Sequence, residues 1–444
     1  MPRPSSQSFL KILFFVWIIC LLPSNCKAEG WKASIARTTG VKKLLFIRVD
    51  FSDEPGAPTP TERAEEVMQQ VNEFYQANSQ GKTQIVTDLT PTLRLPQPFT
   101  WYTSQKNRSA AVAKDARIAA QTAGYDVKSY QLEIINCRPL KKGDYSSGGA
   151  IAAKGLFLIG SQGVALIAHE LGHNYGLGHA HLWMTSDGSI IGEGKSKEYG
   201  NPFDVMGNTN ATNGMQHHFT AYVKYFLNWL PDDAVKTVTA SGTYRVFAHD
   251  LPNASGLRAL QIKENDERDY WVEFRQLDTD NFSVMNGALI YWVYPKHQRE
   301  TTLLDMTPGS PEGAQDAPLF IGRTFTDKEV GIHITPIGKG GTNPESLDIV
   351  VHFGQFPDNK APTVHLIPSS LTAKPGEAVT FKTEASDPDG DKLAYSWDTS
   401  DGKVAGNVTE GTLSWAQPGK YKVHCAVTDM KGGTGEDTVE ITVQ

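Results

Sequence analysis

The run His169-Glu170-Leu171-Gly172-His173-Asn174-Tyr175-Gly176-Leu177-Gly178-His179 has the residue types and the spacing of a metal site. On a helix, His169 and His173 share a face with their Cβ atoms roughly 5–6 Å apart. Both imidazoles can then reach one ion at about 2.0–2.1 Å. Glu170 stands one step round the helix, badly angled to ligate the same ion, which suits a carboxylate that works on water. Gly176 can turn the chain through positive φ without a Cβ clash, and that turn would bring His179 back as a third ligand. Three histidines leave the fourth tetrahedral position for water, as in a catalytic zinc site. The plainer alternative is a core helix that happens to carry polar residues. Burying two histidines and a glutamate without partners is costly, so the zinc reading is preferred, with Glu170 as general base.

Several elements must position this run. Lys43–Phe51 is rich in β-formers and reads as a first strand. Thr59-Pro60-Thr61-Glu62 has the order of a helix start, with Thr as cap, and Ala64 to Tyr75 keep helical spacing. Residues 83–95 look extended. Ser109–Ala123 is alanine-rich and periodic, ending at Gly124 as a C-cap. Tyr130–Cys137 and Gly155–Ser161 read as strands, the second just before the histidine helix begins near Gly163. Gly148–Ala153 reads as a flexible loop near the cleft. Together these predict an α/β (α+β) domain over residues 29–232.

The histidine run resembles the long zinc signature of the metzincin peptidases, H-E-x-x-H-x-x-G-x-x-H. A second hallmark of that family fits Asp204-Val205-Met206-Gly207, where Met206 would form an apolar floor in a tight turn and would not ligate. Position 208 is Asn, where some metzincins place a tyrosine that assists the transition state. After His179 the chain reads as a loop to about residue 215. Phe219–Leu230 then reads as an amphipathic helix stopped by Pro231. The order of zinc helix, loop, D-V-M-G and a helix ending in N-W-L is most similar to the gametolysin-like branch, over roughly residues 155–231. The resemblance implies a zinc endopeptidase with Zn²⁺ on His169, His173 and His179. The ion would polarise the scissile carbonyl and lower the pKa of its water toward about 7. Glu170 would take the proton and pass it to the leaving amine. An extended substrate would pair with a strand of the upper sheet, for which Gly155–Ser161 is the candidate. His181, His217 and His218 are expected at solvated loop or helix-end positions.

Residues 233–356 turn all-β, with short runs between turn residues, and read as a β-sandwich. Tyr270, Trp271, Tyr291, Trp292 and Tyr294 are assigned to sheet packing ahead of a sugar or peptide surface. Pro357–Pro362 reads as a linker. The remainder, with its acidic turn 386–391, Trp397 and a final alternating Thr438–Val443, resembles a PKD-type, immunoglobulin-like module with Trp397 in its core. Asp387, Asp389 and Asp391 alternate and could bind Ca²⁺; hydrogen-bonded turn acids are the slightly preferred reading. The expected architecture is therefore multidomain: a signal at 1–28, the zinc domain at 29–232, a sandwich at 233–356 and the PKD-type module at 357–444.

Arg3 and Lys11, the apolar run Ile12–Leu22 and the small-residue end at Ala28 read as a cleaved secretory signal, too short for a comfortable membrane anchor. Its removal takes three cations and no acid, moving the net charge from −7 to −10. Such an acidic protein without a basic cluster is a poor nucleic-acid binder. Cys137 and Cys425 would remain, as buried thiols and not as a bridge. The expectation is a secreted monomer acting on protein or glycoprotein substrates, with the C-terminal modules meeting carbohydrate, matrix or cell surfaces. A binding protein with a vestigial site is the alternative from another class. The intact Glu170 weighs against it, because ligands alone would serve a structural site. An amidase acting on cell-wall peptides is the other alternative, and Gly176 and Met206 weigh against that.

Overall fold

Strand β1 (Gly40–Asp50) is buried without interruption from Leu44 to Asp50, and a run of that kind belongs at the centre of a sheet covered on both faces. The computed structural model places it there. It describes residues 32–444 apart from 57, 141–146, 150, 161–162, 209–217, 295, 298, 400–401 and 405. The signal assigned to 1–28 lies outside the described residues. The other strands are β2 (Thr83–Leu89), β3 (Leu93–Arg94), β4 (Leu132–Cys137), β5 (Gly148–Gly149) and β6 (Leu156–Ile159). Their order is β2-β1-β4-β6-β5, with β3 beside β1. β4 runs parallel to both β1 and β6, whereas β5 is antiparallel to β6 and ends the sheet. β6 is thus flanked on both sides. Among the described residues β5, and not the expected Gly155–Ser161, ends this side of the sheet, and Gly148–Gly149 is strand where a loop was expected.

The helix Arg108–Thr122 lays Val112, Ala116 and Ala120 against Leu45, Ile47 and Val49 of β1. Small residues four apart let helix and sheet approach closely. Asn107 caps this helix through its side-chain oxygen on the Ala110 amide. The helix Thr61–Ser79 starts later than its sequence suggested. Pro60 accepts the Ala64 amide, and the Thr59 hydroxyl donates to the Gly160 carbonyl at 3.2 Å, away from the helix end.

The chain divides into two compact units. The first holds residues 40–75 and 84–176; the second holds Leu177–Gln444 with the short segments 32–39 and 76–83. Part of the expected loop after His179 is a hairpin, β7 (Ala180–Thr185) with β8 (Gly194–Lys197). β7 also pairs in parallel with Thr301–Leu303, and through that strand it joins Gly287–Val293, Asp269–Glu273, Ala259–Lys263 and Val235–Val238 in one sheet. A second sheet, containing Gly242–Phe247, Phe325–Asp327, Ile332–Lys339 and Ser346–Phe353, completes the sandwich. Tyr270, Trp271, Tyr291 and Trp292 are all buried, and Tyr294 is half-buried.

The helix expected over 219–230 covers only Ala221–Phe226. Thr220 caps it through its hydroxyl on the Val223 amide, and Asn228, at φ +61, ends it. The turn frees Trp229 to be fully buried with its indole N–H on the Thr38 carbonyl at 2.7 Å.

Residues 363–443 form two sheets around Leu366, Phe381, Trp397, Trp415, Val423 and Ile441, with Trp397 in the core as its sequence context suggested. The segment read as a linker is tied down: Phe356 lies against His333, and the Asn359 amide donates to Asp429 at 2.6 Å. Arg323 of the sandwich reaches Ser396 and Asp398, Thr324 shares hydroxyl contacts with Thr335 and Thr428, and Asn407 donates to the Ile337 carbonyl. The last module is therefore seated on its neighbour rather than tethered. Cys137 and Cys425 are buried thiols within strands. Among the described residues no helix is long and apolar enough to cross a membrane.

Candidate metal centre

The helix Val164–Tyr175 carries His169, Glu170 and His173, all buried. The hydroxyl of Tyr75 holds it through the Ala168 carbonyl at 2.8 Å, and the rings of Tyr75 and Tyr175 lie 4.9 Å apart. It stops at Gly176, whose φ of +112 lets its amide reach the Gly172 and His173 carbonyls. A β-carbon would oppose that conformation. His169 and His173 have ring centroids 4.9 Å apart with planes at 89°. One imidazole nitrogen from each of His169, His173 and His179 lies within 4.8 Å of the others, the one such convergence of three metal-capable side chains among the described residues. Three nitrogen donors, two of them buried, suit a tetrahedral Zn²⁺ with one position open.

Glu170 is held from the sheet side. The Gly149 amide of β5 donates to its Oε2 at 2.6 Å, and Ala152 donates to the His173 carbonyl at 2.7 Å. Burial pushes the Glu170 carboxyl up to about 7 against the opposing pull of the Gly149 amide. Sequence reading missed this contact, although paired glycines before the helix were its available signal. A β-carbon on residue 149 would stand 2.4 Å from the Glu170 carbonyl oxygen. Gly149→Ala is expected to cost about 1–3 kcal/mol of stability by forcing the strand from the helix. Thermal melts read this directly, and an unchanged melt would show that β5 slides away freely.

Met206 is buried, in a turn built by side chains of its own segment. Asn201 accepts the Phe203 amide, Asp204 accepts the Met206 amide at 2.7 Å, and Asn208 donates to the Asn201 carbonyl. The Met206 carbonyl accepts the Ala180 amide at 2.9 Å, which fixes the turn to the residue after His179. Gly207 is required, since a β-carbon there would lie 2.1 Å from the Asn201 carbonyl oxygen.

Behind the turn lies a buried charged network that sequence reading, which saw no chemistry in residues 233–356, did not find. Arg275 donates to the Phe203 and His218 carbonyls and to Glu273 Oε1. Glu273 Oε2 accepts the Ala221 amide at 2.6 Å, and Tyr291 donates to Oε1. Burial would raise the Glu273 carboxyl, yet Arg275, His249 and the Ala221 amide bring it down to about 2. Lys224, fully buried, lies 3.0 Å from His218 Nδ1 and donates to the His249 carbonyl; burial lowers its ammonium to about 7. His218 is thus a core residue and not the solvated position expected. His181 lies on β7 with Nε2 3.5 Å from Glu300, and His217 is outside the described residues.

Asp387, Asp389 and Asp391 are turned to different partners. Asp387 accepts the amides of 389 and 391, Asp389 accepts the Lys360 amide, and Asp391 pairs with Lys431.

Residues 359–443 match the family model described as PKD domain, and the C-terminal module is a PKD domain. Collagenase ColA of Clostridium perfringens (strain 13 / Type A) is 35% identical over 86 residues, which span 19% of this chain and 8% of that protein. Among solved structures, the PKD1 domain of the Vibrio cholerae metalloprotease PrtV is similar at 28% identity, covering 19% of this chain and 98% of that one, with a TM-score of 0.17. The PKD1 domain of Vibrio anguillarum Epp is similar at 27% identity over 20% and 98%, also with a TM-score of 0.17.

Proposed function

We propose that this chain is a secreted zinc endopeptidase of the metzincin type, most similar to the gametolysin-like branch, hydrolysing peptide bonds of extracellular proteins or glycoproteins. The observation that carries this reading is the convergence of three imidazoles beside a buried carboxylate. His169, His173 and His179 would hold one Zn²⁺, which supplies Lewis-acid activation of water and of the scissile carbonyl. Glu170, whose Oε2 accepts the Gly149 amide, would take a proton from the attacking water. It then delivers that proton to the leaving amine. An extended substrate would lie along β5, the strand that ends this side of the sheet beside the carboxylate. The Met206 turn steadies the strand that follows His179. The PKD domain and the sandwich would present the enzyme to carbohydrate or matrix surfaces, and the partial likeness to a collagenase agrees with a protease setting.

The purified full-length protein is expected to carry one zinc per chain and to cleave peptides from a proteome-derived library. A chelator should abolish cleavage and added zinc restore it. Zinc-loaded protein that leaves every peptide intact would overturn the proposal.

A further inference from the structure

His169 and His173 take their places from a buried helix, but His179 stands at the start of a strand and needs other means. Its backbone is confined on two sides. Gly178 donates to the Arg299 carbonyl at 2.8 Å, and Ala180 pairs with Thr301 on one flank. On the other, β7 and β8 pair antiparallel with Leu182 opposite Lys197. The hairpin that leaves at Ala180 therefore returns residues 198–200 to the neighbourhood of 179–181. Gly200 makes the return, since a β-carbon there would lie 2.5 Å from Leu182 Cβ and 2.8 Å from the Lys197 carbonyl oxygen.

Two side chains arrive by that route. Glu198 Oε1 lies 2.6 Å from His179 Nδ1. The Tyr199 ring covers the imidazole with centroids 3.9 Å apart and planes inclined by 39°. Tyr199 does this from φ +59, a backbone region that bulky residues adopt only when their surroundings impose it. A carboxylate on Nδ1 favours the tautomer with its proton there, which leaves the Nε2 lone pair for an ion. Carboxylate partners of this kind fix both the orientation and the basicity of ligating histidines.

We propose that Glu198 is the positioning residue for the third metal ligand, holding His179 by Nδ1 while Tyr199 supports the ring face. The proposal rests on the zinc reading above. A neighbouring carboxylate, Glu300, contacts His181 on the same strand and supplies an internal control.

The test compares zinc dissociation constants, by competition with a chromophoric chelator, for full-length parent, Glu198→Ala, Glu198→Gln and Glu300→Gln. Nitrogen-15 spectra of the histidine rings in the apoprotein are recorded alongside, with His179→Ala used to assign the signal. Glu198→Ala should weaken zinc about 10- to 100-fold, and Glu198→Gln should recover most of that, because an amide oxygen accepts the same proton. Glu300→Gln should match the parent. His179 should show the Nδ1–H tautomer in the parent and in Glu198→Gln, and a mixture in Glu198→Ala. Equal zinc affinity in the parent and Glu198→Ala, or an Nε2–H tautomer in the parent, overturns the assignment of Glu198. A parent that takes up no zinc overturns the zinc reading itself, and the two failures are thereby distinguished.

Discussion

Glu170→Gln should abolish peptide cleavage while leaving the three histidines able to bind zinc. The amide preserves the shape of the side chain and an oxygen for the Gly149 amide, now 2.6 Å from Glu170 Oε2. It removes only the basic oxygen that the proposed reaction requires. General-base catalysis contributes typically 10²–10⁴-fold, so kcat/KM should fall by about that factor or more at unchanged zinc content. The site's burial sharpens the expectation: water cannot easily stand in for a base that is 5% exposed. A variant that cleaves as fast as the parent, with zinc bound in both, would remove Glu170 from the mechanism.

The second large effect is expected far from the histidines in sequence, at Glu273. Its carboxylate accepts from Arg275, the Ala221 amide and Tyr291, and His249 lies 3.2 Å away. Glu273→Gln presents an NH2 group to one of these donors and leaves the fully buried Arg275 without its counter-charge. Breaking a buried pair in this way costs about 3–5 kcal/mol. The pH dependence has a definite sign. The folded-state carboxyl is held at about 2, below its ordinary 4.5, so the stability from its charge is complete above about 4.5. It is lost as the pH falls through about 2. The gap in melting temperature between parent and variant should therefore be wide at pH 7 and narrow progressively below 4.5. A gap that stays constant down to pH 3 would show that the charge of Glu273 does not carry the effect. Because Arg275 also holds the Phe203 carbonyl, the loss should spread to the turn around Met206.

Several elements were legible because their determinants are local. Eleven consecutive residues contain both helical histidines, the carboxylate, the glycine that reverses the chain and the third histidine. Helix pitch and the freedom of glycine at positive φ are enough to relate them. The β-former-rich run of β1, the small-residue stripe of Val112, Ala116 and Ala120 and the core position of Trp397 follow from local pattern in the same way. Where the reading failed, a nearby polar contact or a distant pairing decided the matter. Thr220 and Asn228 cut short a helix whose apolar pattern continued to Leu230. The strand β8, four exposed residues of sequence Gly-Lys-Ser-Lys, has too little apolar character to announce itself, and the hairpin it forms with β7 lies where the sequence reads as loop.

The sequence alone thus determined the donor set and its order on the chain, because helix geometry and a single glycine turn relate residues within a dozen positions. Only the tertiary structure decided what surrounds those donors. The edge strand that meets Glu170, the Glu198–Tyr199 return onto His179 and the Glu273–Arg275 pair behind the Met206 turn all depend on strand register and burial. Those are set by contacts between residues 19 to about 120 positions apart. No local spacing encodes them, since each arises only when separate strands compete to bury their faces together.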